Sequence, residues 1–220
     1  MQKTYLLVLF IVGFISLSTA QKKPVSLEEI WNGEFSTQGM DKLRSMNNGK
    51  EYTVLNTNWV TKASNIDKYS YGSLEKIETI VDGMSLSGVS DFSSYAFSKD
   101  ETKILLATEV ESIFRRSTLG IYYVYDVFSK KTVRISDKKI QEPTLSPDGS
   151  KVAYVLNNNL YIFDLKSQIT EQITTDGEKN KIINGVTDWV YEEEFSIVRT
   201  YEWSPDGAKI AFLRFDESQV

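Results

Sequence analysis

A turn that recurs together with the strand after it constrains this chain more than any single segment. Ser98-Lys99-Asp100-Glu101-Thr102-Lys103-Ile104-Leu105-Leu106, Ser146-Pro147-Asp148-Gly149-Ser150-Lys151-Val152-Ala153-Tyr154 and Ser204-Pro205-Asp206-Gly207-Ala208-Lys209-Ile210-Ala211-Phe212 align without gaps. A weaker fourth copy is Ser45-Met46-Asn47-Asn48-Gly49-Lys50. The Ser-Pro-Asp-Gly tetrad suits a type I turn, with Ser at the first position, Pro fixing φ at the second and Gly at the fourth. The run after each turn is apolar at consecutive positions, so both faces of that strand are predicted to be buried, as in an inner strand of a sheet. Two of the turns are followed by a strand that ends in aspartate, Tyr123-Val124-Tyr125-Asp126 and Tyr161-Ile162-Phe163-Asp164. Each leads through a polar turn into another β-rich run, Thr132-Val133-Arg134-Ile135 and Gln172-Ile173-Thr174. Several short strands in a repeat of roughly 50 residues describe a β-propeller blade. A β-sandwich with coincidental turns is the competing architecture, and three gap-free copies weigh against it. The predicted class is all-β, a partial β-propeller of about four blades over residues 45–220.

The repeat locates its own departures. Against the shortest spacing between its landmarks, one repeat carries about 10 extra residues within 107–120 and the next about 20 within 176–198. Insertions into a rigid repeat are expected to be loops, and loops on a scaffold are where binding residues concentrate. Residues 109–118 and 178–198 are therefore the segments to search for function.

Ahead of the repeats, residues 21–44 are expected to be a linker with a short helix. Ser26-Leu27-Glu28-Glu29-Ile30-Trp31 places Glu29 three residues after Ser26, as a capping box requires. Residues 1–20 have the form of an export signal: Lys3, an apolar run from Leu6 to Ile15, then Ser18-Thr19-Ala20 with small residues at the cleavage positions. Ten apolar residues fall short of the roughly 20 that span a bilayer. An uncleaved membrane anchor is the alternative. The expected protein is exported, periplasmic or extracellular, with no stable membrane span after cleavage.

Composition narrows the chemistry. The chain has no His and no Cys, so it cannot build a Ser-His-Asp or Cys-His arrangement, a disulfide or a zinc finger. The net charge of −5 is made of interspersed signs, which leaves no basic patch for nucleic acid. Phosphate-binding glycine loops and the G-x-S-x-G nucleophile elbow are missing from the string. No catalytic residue or cofactor site is expected in this chain, and no metal ligand is assigned, although a carboxylate metal site remains open.

The two insertions hold what chemistry there is. The second contains Asp188-Trp189-Val190-Tyr191-Glu192-Glu193-Glu194-Phe195. Adjacent carboxylates beside aromatic residues read either as a solvated acidic helix turn or as a cation site for an α-amino group, a lysine or a metal ion. Because neighbouring residues of a regular element point apart, Glu193 and Glu194 can converge only at an irregular turn or a helix end. The first insertion, Glu109-Val110-Glu111-Ser112-Ile113-Phe114-Arg115-Arg116-Ser117, offers paired guanidinium groups that could hold a carbonyl or carboxylate and relieve repulsion between the glutamates.

Thr187-Asp188-Trp189-Val190-Tyr191-Glu192-Glu193-Glu194 resembles the double-glutamate motif of dipeptidyl peptidase IV, in the prolyl oligopeptidase family of serine peptidases. Arg115-Arg116-Ser117 ahead of Tyr125-Asp126, Ile183-Asn184-Gly185-Val186 and Trp203-Ser204-Pro205-Asp206-Gly207 are similar to the same family's pattern. The resemblance covers roughly residues 25–220. It implies an eight-bladed N-terminal propeller followed by an α/β-hydrolase domain, and removal of dipeptides from peptides with Pro or Ala at the second position. It implies that Glu193 and Glu194 anchor the substrate's free amino terminus and that Arg115 binds the carbonyl of its second residue. Phe114 stands where the family can have Trp, and Arg116 where it can have His, so the choice between Arg115 and Arg116 is open at this level. The hydrolase domain is absent from these 220 residues, and the chain is expected to be an inert N-terminal piece, prone to aggregation alone. A non-catalytic exported propeller that binds peptides or proteins fits the repeats equally well. Release of tripeptides and homodimerisation of the full-length protein are likewise open.

Overall fold

Three bonds close each recurring turn. In the computed structural model, which describes residues 25–37, 39 and 42–220, the Gly149 amide donates to Ser146 O (2.8 Å), the Ser146 hydroxyl to Asp148 Oδ1 (2.6 Å), and the Lys151 amide to Ser146 Oγ (2.9 Å). The same set recurs at Ser204-Asp206-Gly207-Lys209 and at Ser98-Asp100-Glu101-Lys103. The fourth residue of each turn is left-handed: φ is 67° at Gly149, 70° at Gly207 and 60° at Glu101. Glycine suits that position, and Glu101 occupies it under strain. The weak fourth copy is one residue out of the register expected from Ser45. There the Gly49 amide donates to Met46 O and the Lys50 amide to Asn48 Oδ1. Met46 thus takes the serine position and Asn48 the aspartate position. The left-handed Gly49 (φ 65°) and the side-chain acceptor two residues into the turn set the alignment.

These turns join strands into successive antiparallel meanders. The first sheet holds β1 (Leu43–Ser45), β2 (Glu51–Thr57), β3 (Ser64–Ser70) and β4 (Lys76–Asp82), in that order. The second holds β5 (Ser94–Phe97), β6 (Lys103–Ser112), β7 (Thr118–Asp126) and β8 (Thr132–Arg134). The third holds β9 (Gln141–Leu145), β10 (Lys151–Leu156), β11 (Asn159–Asp164) and β12 (Thr170–Gln172). A fourth begins with β14 (Tyr201–Trp203) paired to β15 (Ile210–Phe212), while β13 (Ile182–Asn184) pairs with β16 (Arg214–Asp216). Four-stranded meanders stacked face to face are propeller blades, and the open series is part of one. The first sheet takes in Leu43 and Arg44, inside the stretch expected as linker, because Leu43 pairs with Val54.

Consecutive apolar residues serve two interfaces at once. On β6, Ile104 and Leu106 pack toward the first sheet with Ile66, Val81 and Phe92, while Leu105 packs toward the third with Ile140 and Val152. On β10, Val152 and Tyr154 face the second sheet, and Ala153 and Val155 face Ile183, Val186 and Tyr201. The expectation fails on β15. Ala211 is exposed and Phe212 is 37 % exposed, because no described strand beyond β16 lies over that sheet.

The first insertion is not a loop. β6 and β7 run 10 and 9 residues where β10 and β11 run 6 each. After a bulge at Glu109 (φ 51°) the ladder resumes as Glu111 opposite Leu119 and Ser112 opposite Thr118. Extra residues that continue a ladder satisfy their own backbone groups, so the insertion lengthens the hairpin and leaves a short turn at its tip.

The chain divides into two units at Met40 and Asp41. In the first, α1 (Leu27–Trp31) carries the expected capping box: the Glu29 amide donates to Ser26 Oγ (3.2 Å) and the Ser26 amide to Glu29 Oε2 (3.1 Å). The expected export signal, residues 1–20, lies outside the described residues. No helix among the described residues is long and apolar enough to cross a membrane.

The strand-ending aspartates tie neighbouring strands together. Lys103 and Asp126 sit directly opposite each other with Nζ 2.6 Å from Oδ2, and the Ser129 amide also donates to Asp126. The lysine first and the amide second hold this carboxyl down at about 2, and the Ser146 and Ser150 bonds hold Asp148 there too. A carboxyl with a lower pKa folded than unfolded stabilises the fold above the unfolded value, near 4, and loses that contribution as pH falls toward 2. Thermal melts between pH 5 and pH 2 should show the midpoint dropping through this window. In Asp126→Asn the drop should be shallower; an unchanged slope would remove Asp126 from the acid limb.

Candidate functional site

The second insertion leaves and re-enters the scaffold through a buried base. Asn184 is fully buried; its amide donates to Asn158 O (3.0 Å), and its side chain donates to Asn158 O and to Asp176 Oδ1 (2.9 Å). Gly185 follows at φ 80°, against Val155, Tyr201 and Leu160. The two ends of the excursion are then stapled. Thr187 N donates to Val198 O (3.0 Å), Thr187 Oγ1 to Ile197 O (2.7 Å), and Val186 bridges Arg199.

Between the staples runs α2 (Trp189–Phe195). Asp188 caps its start by accepting from the Tyr191 amide (2.8 Å), and left-handed Ser196 (φ 58°) ends it. Successive side chains on a helix fan out by about 100°, so the three glutamates take three directions. Glu192 turns inward and is 1 % exposed. Glu193 is half-buried and Glu194 exposed. Glu192 falls in the first turn, while Glu193 and Glu194 lie toward the helix's negative end, and no basic residue of α2 occupies its last turn. The positive charge has to come from elsewhere.

It comes from the tip of the β6–β7 hairpin. Arg115 Nη2 lies 2.9 Å from Glu193 Oε1, with the arginine side chain 68 % exposed and the glutamate 26 %. Glu192 Oε1 accepts from the backbone amides of Arg116 (2.5 Å) and Ser117 (3.1 Å). Burial raises the Glu192 pKa, but the hydrogen bonds from this tip outweigh it, and the carboxyl ends below its ordinary value. Glu194 has no hydrogen-bond or ion-pair partner among the described residues. The Arg116 backbone is engaged, and its side chain is exposed.

The structure thus brings Arg115 and Glu193 into contact and leaves Glu194, the next residue of the helix, exposed with its acceptors free. Sequence reasoning missed two participants. Glu192 stood in the acidic string, yet nothing in spacing alone marks it as the buried member. Glu142 on β9 gave no signal at all. It sits at φ 48°, and burial pushes its carboxyl up, opposed by Arg199 and reinforced by the Glu192 charge. An apolar rim flanks the acids, with the Tyr191 ring tilted against those of Phe195 (5.7 Å) and Phe215 (5.1 Å). No group of three potential metal ligands occurs among the described residues.

A family model described as the dipeptidyl peptidase IV (DPP IV) N-terminal region matches residues 98–220. The chain belongs to that family. It is 31% identical over 209 residues to the prolyl endopeptidase FAP of Mus musculus, covering 90% of this chain and 25% of that protein. It is 34% identical over 181 residues to dipeptidyl aminopeptidase B of Saccharomyces cerevisiae, covering 82% and 22%. The crystal structure of Porphyromonas gingivalis dipeptidyl peptidase 4 superposes with a TM-score of 0.79 at 37% identity, over 89% of this chain and 28% of that one. The chain therefore spans about a quarter of the length of the curated relatives it matches.

In this dipeptidyl peptidase IV N-terminal region, the exposed Arg115–Glu193 pair should add little to folding, since solvent-exposed ion pairs contribute about 0–1 kcal/mol. Arg115→Ala should leave the melting midpoint nearly unchanged. Glu192→Ala strands two amide donors, at about 1–3 kcal/mol of desolvation each, and should lower it clearly. Equal shifts in calorimetry would mean that Arg115 is a structural residue.

Proposed function

We propose that this chain is the substrate-anchoring propeller portion of an exported serine-type dipeptidyl peptidase. The complete enzyme releases dipeptides from the amino termini of peptides with Pro or Ala at the second position. The nucleophile and its base belong to an α/β-hydrolase portion that these residues do not include, and the chain alone is inactive.

The observation that carries this reading is the meeting of the two insertions at Arg115 and Glu193, with Glu194, next on the same helix, uncommitted. One arginine against two glutamates leaves one negative charge uncompensated, while Glu192 is satisfied by backbone amides. A single ammonium balances that charge, and its three donors suit two carboxylates. Arg115, which is exposed, has further donors for a carbonyl oxygen two residues along the substrate. An amino terminus held at a set distance from the reacting serine makes the enzyme count residues, so that the cut falls after the second. The Lys3–Ala20 segment supports export to the periplasm or beyond.

In the complete protein, Glu193→Gln and Glu194→Gln should each lower kcat/KM for a dipeptidyl p-nitroanilide about 10²-fold, the loss expected for a charge-assisted pair. An N-acetylated substrate should not be cleaved. Turnover should also fall above about pH 8 as the substrate's own α-ammonium deprotonates. Normal kcat/KM in the glutamine variants would reject the anchoring role. Tripeptide release would correct the leaving unit, and binding of peptides without cleavage would make the protein a peptide-binding propeller.

A further inference from the structure

We infer that Glu192 is a positioning residue, whose carboxylate clamps the hairpin tip bearing Arg115 against the helix bearing Glu193 and Glu194 and so sets the width of the substrate's anchoring site. This rests on the function proposed above for those three side chains and assigns a role to a fourth.

The two insertions are separate excursions, from different sheets, and their anchoring groups are useful only at a set separation. The hairpin is poorly restrained at its end. Its ladder is broken by the Glu109 bulge, and the tip turn is closed locally by the Ile113 amide donating to Ser117 O (2.9 Å). Phe114, Arg115 and Arg116 are all exposed. The hairpin meets the 187–198 excursion through the exposed Arg115–Glu193 pair and through the two amides on Glu192 Oε1. The exposed pair is the one that substrate must engage, and it is weak in water. The tie on Glu192 is buried and charge-assisted, and it holds main chain rather than side chain. It therefore survives rearrangement of Arg115 when an ammonium arrives.

The tie also separates Arg115 from Arg116. Pinning the amides of residues 116 and 117 fixes the direction in which residue 115 leaves the tip, toward Glu193. The side chain at 116 plays no part in the clamp, since only its backbone is used. A carboxylate strengthens the tie because both bonds to its oxygen are charge-assisted; an amide oxygen can accept from the same two donors but brings no charge.

The test is a double-mutant cycle in the complete enzyme with glycyl-prolyl-p-nitroanilide. Glu192→Gln should raise KM about tenfold with kcat within about threefold, the signature of lost binding geometry. Arg115→Ala should also raise KM, and adding Glu192→Gln to it should raise KM little further, because the clamp acts through Arg115. Full additivity of the two changes would overturn the inference, as would an unchanged KM in Glu192→Gln. Hydrogen exchange on the unmodified enzyme keeps the question decidable if the glutamine variant fails to fold. The Arg116 and Ser117 amides should be protected about 100-fold or more despite their exposed surroundings, and free-peptide exchange rates there would overturn the clamp. Glu193→Gln with unchanged KM would instead overturn the anchoring function and with it the clamp's role in substrate binding, whereas additivity overturns the clamp alone.

Discussion

Packing between successive sheets is the constraint on which the rest of the structure depends. Strands β6 and β10 each present alternate side chains to two neighbours, so that Leu105 and Val152 meet in one interface while Ile104 and Ala153 serve the next ones out. Each fully buried aliphatic side chain is worth about 1.5–3 kcal/mol, and every blade shares its contribution with the blade on either side. Stability in such an array is a nearest-neighbour property. The exposed β15 shows the converse: the same apolar run, with one neighbour, remains open to water.

A scaffold of this kind leaves its turns and hairpin ends free to vary, and both insertions use that freedom differently. The first continues a ladder and so keeps its backbone groups paired well away from the core. The second cannot continue a strand. It departs through left-handed Gly185, is stapled at Thr187, and folds its middle into a short helix capped by Asp188. The helix places Glu193 and Glu194 toward its negative end, an unfavourable choice on its own terms. Arg115 and the tip amides supply the compensating charge and donors from across the gap. Local cost in one insertion is thus offset by the other, and the place where they meet is the one proposed above to take a cationic ligand.

Much of this was legible in the residues. The Ser-Pro-Asp-Gly turns announce themselves because proline, a side-chain acceptor and glycine are each required by a specific dihedral or bond. The capping box at Ser26 and Glu29 is legible for the same reason, being satisfied within four residues. The Met46 turn was misaligned by one residue because Ser45 matched by identity, while the geometry answers to Gly49 and Asn48. The first insertion was expected as a loop because spacing counts residues without saying whether their backbones find partners.

By itself, then, the sequence determined the blade repeat, the location of both insertions, and the family to which Glu193, Glu194 and Arg115 point, since these follow from short-range rules and from identity at matched positions. Tertiary structure alone decided which glutamate is buried, which arginine reaches the acids, and that Glu142 stands behind them. Residues 115 and 193 are distant in the chain, and their contact depends on how neighbouring blades and their insertions come together, a long-range packing outcome that no local pattern encodes.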